Sequence, residues 1–333
     1  MHVPTPYLVF LGDLTDAHYA KTGLGLKDWV PDQCVAQLRL PGATVDAGLP
    51  DMSPAEAKAA GAQSLVIGVA NRGGHVPEYW LDVLVEALEA GLDLVSGLHT
   101  RLEAFPVIAE AVERTGQQVH NVRFAQDLYP VADGEPRAGH RVLTVGTDTS
   151  IGKKYAALAL TKALQERGVS ADFRATGQTG ILIAGRGVPM DALKGDFIAG
   201  AAEWLTPAAE PDHWDIVEGQ GSFYHPSYAA VTLGLLHGAQ PDFLVMCHDP
   251  TRAHVDNFPR YAIPPLNEAI DLYLSMSRIT SPNVRCAGIS LNTSKLSDAE
   301  AHAALAEYES RYGYVCIDPL RTGAGRLADA LIC

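Results

Sequence analysis

The sequence predicts an α/β protein with a Rossmann-like N-terminal domain and a phosphate-loop domain whose sheet is mainly parallel. Three observations predict this fold. Short apolar runs alternate with helical periodicity along the 333 residues, glycines follow the helix-like runs, and a Gly-rich turn ends in Gly152-Lys153. Strands that alternate with helices favour a parallel sheet covered on both faces. The length leaves room for two domains, because single cores stop growing at about 250 to 300 residues.

The first predicted domain spans residues 1–126 and shows the alternation clearly. Its strand-like runs are 7–11, 37–40, 64–70, 92–96 and 118–122, and its helix-like runs are 54–60, 78–90 and 102–115. Gly61, Gly91 and Gly116 follow these helices directly, as left-handed C-terminal caps would. The first strand is not followed by Gly-x-Gly-x-x-Gly, so a dinucleotide is not expected here.

Residues 127–140 are rich in Pro, Gly and charge and are predicted to form a linker, which leaves 141–333 as the phosphate-loop domain. Strand-like runs in this domain are 141–145, 171–175, 214–217, 243–247, 286–291 and 314–317. Each run ends in polar or Gly residues. Because parallel strands share one carboxyl edge, these residues are expected to gather on one rim and to form the binding site.

The segment between the first of these strands and the helix-like run 155–167 has the pattern of a phosphate-binding loop. It consists of Gly146, Thr147, Asp148, Thr149, Ser150, Ile151, Gly152, Lys153 and Lys154. Backbone N–H groups and a positive helix end bind anions in such a turn, and Lys153 adds a charge for the phosphates. The common motif follows its Lys with a hydroxyl that binds Mg²⁺, whereas Lys154 stands here. We therefore expect anion binding and regard catalytic use of ATP as less favoured.

The composition argues against two classes of partner, nucleic acid and acidic membranes. The chain has 47% hydrophobic and 19% charged residues and a formal net charge of −14, which argues against nucleic acid and acidic membranes as partners. It shows no apolar run of about 18 residues and no signal pattern, and its five cysteines form no Cys-x-x-Cys pair. We expect a cytoplasmic homo-oligomer. The twelve His show no metal-ligand spacing, so no metal is expected.

A resemblance covers part of the C-terminal half, where residues 143–320 resemble dethiobiotin synthetase and related phosphate-loop proteins. The unusual spacing of the loop carries this resemblance, together with Val217-Glu218-Gly219 and with 288–292, which looks like a base-contacting strand end. The resemblance implies that Asn292 contacts a nucleotide base. It also keeps open an ATP-dependent ligase or kinase as the alternative function.

A closer resemblance covers the whole chain. The order of a Rossmann-like domain, the loop ending in Lys153-Lys154, the segment 175–180, and 218–222 followed by His225-Pro226 resembles the D-glutamate N-acetyltransferase family. This resemblance implies acetyl transfer from acetyl-CoA to the amino group of an amino acid, with D-glutamate or a related D-amino acid as the expected substrate. Coenzyme A has a pyrophosphate and a ribose phosphate, which a cationic loop can hold without Mg²⁺.

Acetyl transfer to an amine needs a base, a donor for the thioester oxyanion, and a clamp for the substrate carboxylates. Glu218 and His225 are the alternative bases. The backbone N–H groups of residues 219–222, or the side chain of Gln178 or Ser222, could serve the oxyanion. The clamp candidates are Arg72, His75, Arg101, Arg174 and Arg252. Arg72 is the first choice because it follows an apolar run that is predicted to be a buried strand and because it adjoins two glycines. A third hypothesis is that the protein senses a nucleotide without catalysing a reaction.

Overall fold

The computed structural model describes residues 3–71, 73–124 and 129–332, which form two compact units. Unit 1 takes in the described residues up to 124 together with 178–189. Unit 2 takes in 129–177 and 190–332. The boundary between residues 126 and 127 lies outside the described ranges and stays a prediction.

Unit 1 is built on a five-stranded parallel sheet in the order β2-β1-β3-β4-β5. Its strands are β1 (Tyr7–Gly12), β2 (Cys34–Arg39), β3 (Ser64–Ile67), β4 (Asp93–Ser96) and β5 (Val119–Asn121). Helices α1 (Lys21–Trp29), α2 (Pro54–Ala59), α3 (Leu81–Glu89) and α4 (Pro106–Thr115) connect them. The predicted alternation of strands and helices in this region is confirmed, and α1 is a helix that the periodicity did not reveal.

Local chemistry explains where the helices of unit 1 begin and end. Ser53 and Glu56 form a reciprocal capping box at the start of α2. Gly61, Gly91 and Gly116 have φ values of 102°, 85° and 75°, which confirms the predicted left-handed caps. These conformations are costly for residues that have a Cβ, so glycine is the residue that ends these helices.

Unit 2 is built on a six-stranded parallel sheet in the order β13-β12-β9-β6-β8-β7. Its strands are β6 (His140–Gly146), β7 (Ala171–Arg174), β8 (Trp214–Val217), β9 (Phe243–His248), β12 (Arg285–Leu291) and β13 (Cys316–Ile317). The chain between β9 and β12 contains an antiparallel hairpin, β10 (His254–Val255) and β11 (Phe258–Ala262), which the sequence did not predict.

The described helices that follow β6 in the chain are α5 (Lys153–Gln165), α6 (Gln178–Ala184), α7 (Ile198–Leu205), α8 (Ala229–Ala239), α9 (Leu266–Ser277), α10 (Asp298–Tyr312) and α11 (Gly325–Ile332). Helix α6 groups with unit 1, where Thr179 and Thr22 of α1 are hydrogen-bonded at 3.0 Å. The other six belong to unit 2. Since β6 lies between β8 and β9, the loops after these three strands meet on one rim of the sheet.

The described part of the predicted linker, residues 129–140, packs on helices of unit 2. Glu203 on α7 accepts hydrogen bonds from the backbone N–H groups of Asp133 and Gly134 at 3.0 and 2.9 Å. Arg137 donates to the carbonyls of Thr206 and Gly238 at 2.8 and 2.7 Å. This arginine therefore satisfies carbonyls at the ends of α7 and α8, which helix geometry leaves without partners. None of the described helices combines the length and apolar character needed to cross a membrane.

Candidate active site

The loop between β6 and α5 contains two residues with a left-handed backbone conformation. Ser150 and Gly152 have φ values of 52° and 102°, both in the left-handed region. A residue other than glycine rarely adopts this conformation, and such strain concentrates at functional sites. Gly152 is also the N-cap of α5, so no side chain caps the helix there. A turn of this kind before a positive helix end is typical of anion sites, and anion binding at this loop stays a prediction.

Two lysines at the start of α5 supply positive charge. Lys153 is buried, and its Nζ donates a hydrogen bond to the carbonyl of Asp148 at 2.7 Å. The stem of Lys153 passes so close to Gly219 that a Cβ there would lie 3.0 Å from Cδ. Lys154 lies with its Nζ 5.1 Å from the centre of the Tyr155 ring. Lys153 is thus held beside both the loop and the segment after β8.

The carboxylate of Asp148 is fully buried and accepts hydrogen bonds from three groups. Thr149 N donates to Oδ1 at 2.7 Å, while Arg252 Nη1 and Asp256 N donate to Oδ2, both at 2.7 Å. Arg252 also donates to the carbonyl of Thr149 at 2.8 Å. Asp148 is therefore an internal brace of the loop, and the structure places Arg252 on this brace. The clamp role considered for Arg252 stays a prediction.

Glu218 follows β8 and is 4% exposed. Its Oε2 accepts hydrogen bonds from the backbone N–H groups of Thr176 and Gly177 at 2.9 and 3.1 Å. Burial raises the pKa of Glu218 above its ordinary value, while these hydrogen bonds and the charge of Lys154 oppose the rise. A carboxylate with a raised pKa is a stronger proton acceptor than an exposed one. Glu218 is thus chemically suited to general-base work.

Two hydroxyls fix the end of β6 to the segment after β8. Ser222 Oγ and Tyr273 Oη donate to the carbonyl of Gly146 at 2.9 and 2.8 Å, and Tyr273 Oη also accepts from Phe223 N at 3.2 Å. Ser222 is fully buried. Its hydroxyl supports the loop here, and its predicted oxyanion role stays a prediction. The sequence did not indicate Tyr273, since no local motif marks a tyrosine in the middle of a helix.

His225 is the second candidate base and is 3% exposed. Its Nδ1 accepts a hydrogen bond from Ser227 N at 3.1 Å. The ring stacks on Tyr228 with centroids 4.4 Å apart and meets the edge of Phe258 at 5.1 Å. Phe258 belongs to β11, directly after the segment that braces Asp148. The imidazole is therefore held on the same side of unit 2 as the phosphate loop.

A second histidine, His248 at the end of β9, was missed by the sequence analysis. Its Nδ1 lies 3.0 Å from Thr147 Oγ1 and its Nε2 lies 3.1 Å from Tyr308 Oη. Burial lowers the pKa of His248 to about 4; the charge of Arg252 contributes to the drop and that of Asp249 opposes it. The ring is thus neutral at pH 7 and bonds the loop to α10.

Two further predicted residues of unit 2 have clear positions. Asn292 follows β12, and its Cβ lies 3.9 Å from where a Cβ would sit on Gly152, so it borders the phosphate loop. Its Oδ1 accepts from Ser294 N at 3.2 Å. Arg174, at the end of β7, donates to buried Asp215 at 2.6 Å. The base-contact role of Asn292 and the clamp role of Arg174 stay predictions.

The remaining substrate candidates belong to unit 1. His75 is exposed in the loop after β3, and Arg101 is exposed with its guanidinium carbon 4.3 Å from the centre of the Phe124 ring. The Gln178 amide, in its better-satisfied orientation, donates to Gly97 O at 2.6 Å and accepts from Arg123 at 3.2 Å. Arg72, the first-choice clamp, lies outside the described residues. The roles of all four stay predictions.

The structure therefore brings together one set of the predicted residues in unit 2. The set comprises the loop 146–154, Glu218, Ser222, His225, Arg252 and Asn292. Within the described residues, no group of three His, Cys, Asp or Glu is arranged to hold a metal ion. Fold and site define a phosphate-loop α/β protein that carries an additional Rossmann-like domain.

Comparison with known proteins gives the family. Residues 130–328 match the model described as "Domain of unknown function (DUF1611_C) P-loop domain", and 38–125 match the model described as "Domain of unknown function (DUF1611_N) Rossmann-like domain". The chain belongs to this family, whose curated relatives are named D-glutamate N-acetyltransferase. The two matched domains confirm the fold class and the order of domains expected from the sequence.

Three relatives cover nearly the whole chain. A D-glutamate N-acetyltransferase of Tritonibacter scottomollicae is 52% identical over 329 residues, 99% of either chain. A protein of the same name from Pseudoalteromonas sp. is 43% identical over 323 residues, 97% of either chain. The crystal structure of a DUF1611 family protein from Anabaena variabilis superposes with a TM-score of 0.90 at 36% identity, covering 99% of each chain.

The neutral state of His248 predicts a pH-dependent stability. Its folded pKa, about 4, lies below the ordinary value of 6.5, so the unfolded chain binds the proton first and stability is lost as pH falls from 6.5 towards 4. Between pH 7 and pH 5 this linkage amounts to about 2 kcal/mol. In His248→Gln the fall in unfolding free energy over this interval should be smaller by that amount, measured by urea denaturation. Exposed His302→Gln is the control and should keep the wild-type difference.

Proposed function

We propose that this chain transfers an acetyl group from acetyl-CoA to the amino group of an amino acid, with D-glutamate as the first candidate substrate. The names of the two curated relatives support this proposal, because the chain matches both over almost its entire length. Their names also favour the D-enantiomer over the L-enantiomer. The chemistry of the loop in unit 2 supports acetyl-CoA as the donor.

The observation that carries the donor assignment is the pattern of charge in the loop. Lys154 stands where ATP-using loops have a metal-binding hydroxyl, and the carboxylate of Asp148 already accepts hydrogen bonds from Thr149, Arg252 and Asp256. Both changes favour holding phosphates over assembling a Mg²⁺ site for phosphoryl transfer. Coenzyme A needs this kind of anchor, since its phosphates bind but do not react.

The transfer itself can be divided among groups of unit 2. The amine nitrogen attacks the thioester carbon, the C–N bond forms, the C–S bond breaks, and the sulfur leaves with the electron pair. The amine must lose a proton during this step, and Glu218 is the acceptor that the geometry favours, because burial raises its pKa while two backbone N–H groups orient it. The proton then passes to the thiolate or to solvent.

The test is an assay of thiol release from acetyl-CoA with D-glutamate, L-glutamate and other D-amino acids, with and without EDTA. We expect release with D-glutamate, formation of its N-acetyl derivative by mass spectrometry, and no loss of rate in EDTA. A parallel reaction with Mg-ATP is analysed for phosphate release. Phosphate release without thiol release would replace the proposal with an ATP-dependent ligase or kinase, and binding without turnover in either assay would favour a sensing module.

Lys153→Ala should weaken binding of coenzyme A. Its charged hydrogen bonds to phosphate are each worth roughly 1.5 to 3 kcal/mol, which corresponds to about a 10- to 100-fold rise in Kd. Isothermal titration calorimetry measures this change. Lys162→Ala is the matched control, because Lys162 lies two and a half turns along the same helix with an exposed side chain. Equal affinities for Lys153→Ala and the wild type would contradict the placement of coenzyme A on the loop.

Glu218→Gln should lower kcat by about 10²-fold or more, the usual range for loss of a general base. It should also remove the acidic limb of the kcat/KM profile. Because burial raises the pKa of Glu218, the wild-type rate should begin to fall with decreasing pH above the ordinary carboxyl range. Steady-state kinetics from pH 5 to 8 measure both effects. Glu166→Gln is the control, because this side chain is exposed, and it should keep the wild-type kcat. A Glu218→Gln variant with wild-type kcat places the base elsewhere.

A further inference from the structure

Lys295 is an exposed cation on the same rim of the unit 2 sheet as the phosphate loop. Its side chain is 63% exposed, and its Nζ lies 3.3 Å from Oδ2 of Asp249, whose side chain is 3% exposed. An ammonium group has three donors, so one bond to Asp249 leaves capacity for a phosphate oxygen. Lys295 can therefore contact an anionic ligand from the solvent side and keep its ion pair.

A chain of ion pairs connects Lys295 to the phosphate loop. Oδ2 of Asp249 also lies 3.7 Å from Nε of Arg252. Arg252 in turn donates to the carboxylate of Asp148 and to the carbonyl of Thr149, at 2.7 and 2.8 Å. Asp249 thus lies between Lys295 and the arginine that braces the loop. The lysine and the loop are held by one connected set of charges.

The segment after β12 that carries Lys295 is fixed in place. Thr293 donates to the buried carboxylate of Asp318 through its backbone N–H, at 3.2 Å, and also through its hydroxyl. The same segment borders the phosphate loop, because the Cβ of Asn292 lies 3.9 Å from where a Cβ would sit on Gly152. Binding to a segment that is already ordered costs little conformational entropy.

The strand order of unit 2 gives coenzyme A a direction across the rim. β8 is next to β6 on one side, while β9 and then β12 follow on the other side. In the proposed function the diphosphate binds the loop after β6, and the thioester has to reach Glu218, which follows β8. The nucleotide end of an extended coenzyme then lies towards β9 and β12. Lys295 follows β12, which is two strand spacings, or about 10 Å, from β6.

We propose that Lys295 binds the 3′-phosphate on the ribose of coenzyme A and thereby selects this coenzyme over nucleotides that lack the group. The inference rests on the proposed acetyltransferase function. Dephospho-coenzyme A differs from coenzyme A in the 3′-phosphate alone, and both have the diphosphate that the loop would hold. Because the 3′-phosphate is remote from the thioester, its contact should contribute equally to the ground state and the transition state.

Isothermal titration calorimetry with the two coenzymes tests this assignment. We expect the wild type to bind coenzyme A about tenfold more tightly than dephospho-coenzyme A, the lower end of the range for a charged hydrogen bond because the contact is exposed. In Lys295→Ala the two affinities should become equal, with dephospho-coenzyme A bound as in the wild type. Lys295→Arg should keep the preference. Arg260→Ala is the matched control, since Arg260 is an exposed cation on β11, and it should also keep the preference.

Steady-state kinetics give a second readout. With the wild type, acetyl-dephospho-coenzyme A should show a KM about tenfold above that of acetyl-CoA and the same kcat, and Lys295→Ala should remove the difference in KM. Equal affinities of the wild type for the two coenzymes would overturn the role of Lys295 and leave the proposed function in place. A preference that Lys295→Ala retains, or that Arg260→Ala removes, would overturn it too. If the wild type binds neither coenzyme and releases no thiol, the proposed function fails and this assignment fails with it.

Discussion

The buried carboxylate of Asp148 is the group on which the site in unit 2 depends. An unpaired charge in a protein interior costs several kcal/mol, so it persists only with good partners. Asp148 has three, each at 2.7 Å: the next residue of the loop, the guanidinium of Arg252, and the backbone of Asp256. Two of these donors come from the segment after β9. The conformation of the phosphate loop is therefore set from outside the loop, by residues more than a hundred positions along the chain.

The strand order turns this pairing into a site. With β6 between β8 and β9, the loop, the Glu218 segment and the Arg252 segment must meet on one rim. Close backbone approach then becomes a requirement, since a Cβ on Gly219 would lie 1.7 Å from the carbonyl of Thr144. The hydroxyls of Ser222 and Tyr273 on the Gly146 carbonyl add a second connection. Lys153 and Glu218 are consequently held by neighbouring, mutually braced segments.

Local patterns predicted the parts of this arrangement that are contiguous in sequence. The nine-residue loop, the glycine caps of unit 1 and the acidic residue after β8 each depend on a short segment, and each could be located before the fold was known. Tyr273 and His248 could not, because their partners lie 127 and 101 residues away. Helix α6 is a further case in which a contact distant in sequence decides the structure. The sequence did not indicate this helix, and the unit on which it packs depends on its contact with Thr22, 157 residues distant.

Backbone N–H groups contact both candidate bases near the loop. On Glu218, the N–H groups of Thr176 and Gly177 favour the anion and so oppose the rise in pKa that burial causes. The carboxylate therefore stays a usable acceptor despite being buried. On His225, the N–H of Ser227 donates to Nδ1 at 3.1 Å. The charge of Lys154 also favours the Glu218 anion and that of Asp191 disfavours it, so the proton affinity of Glu218 depends on these side chains as well as on the peptide groups.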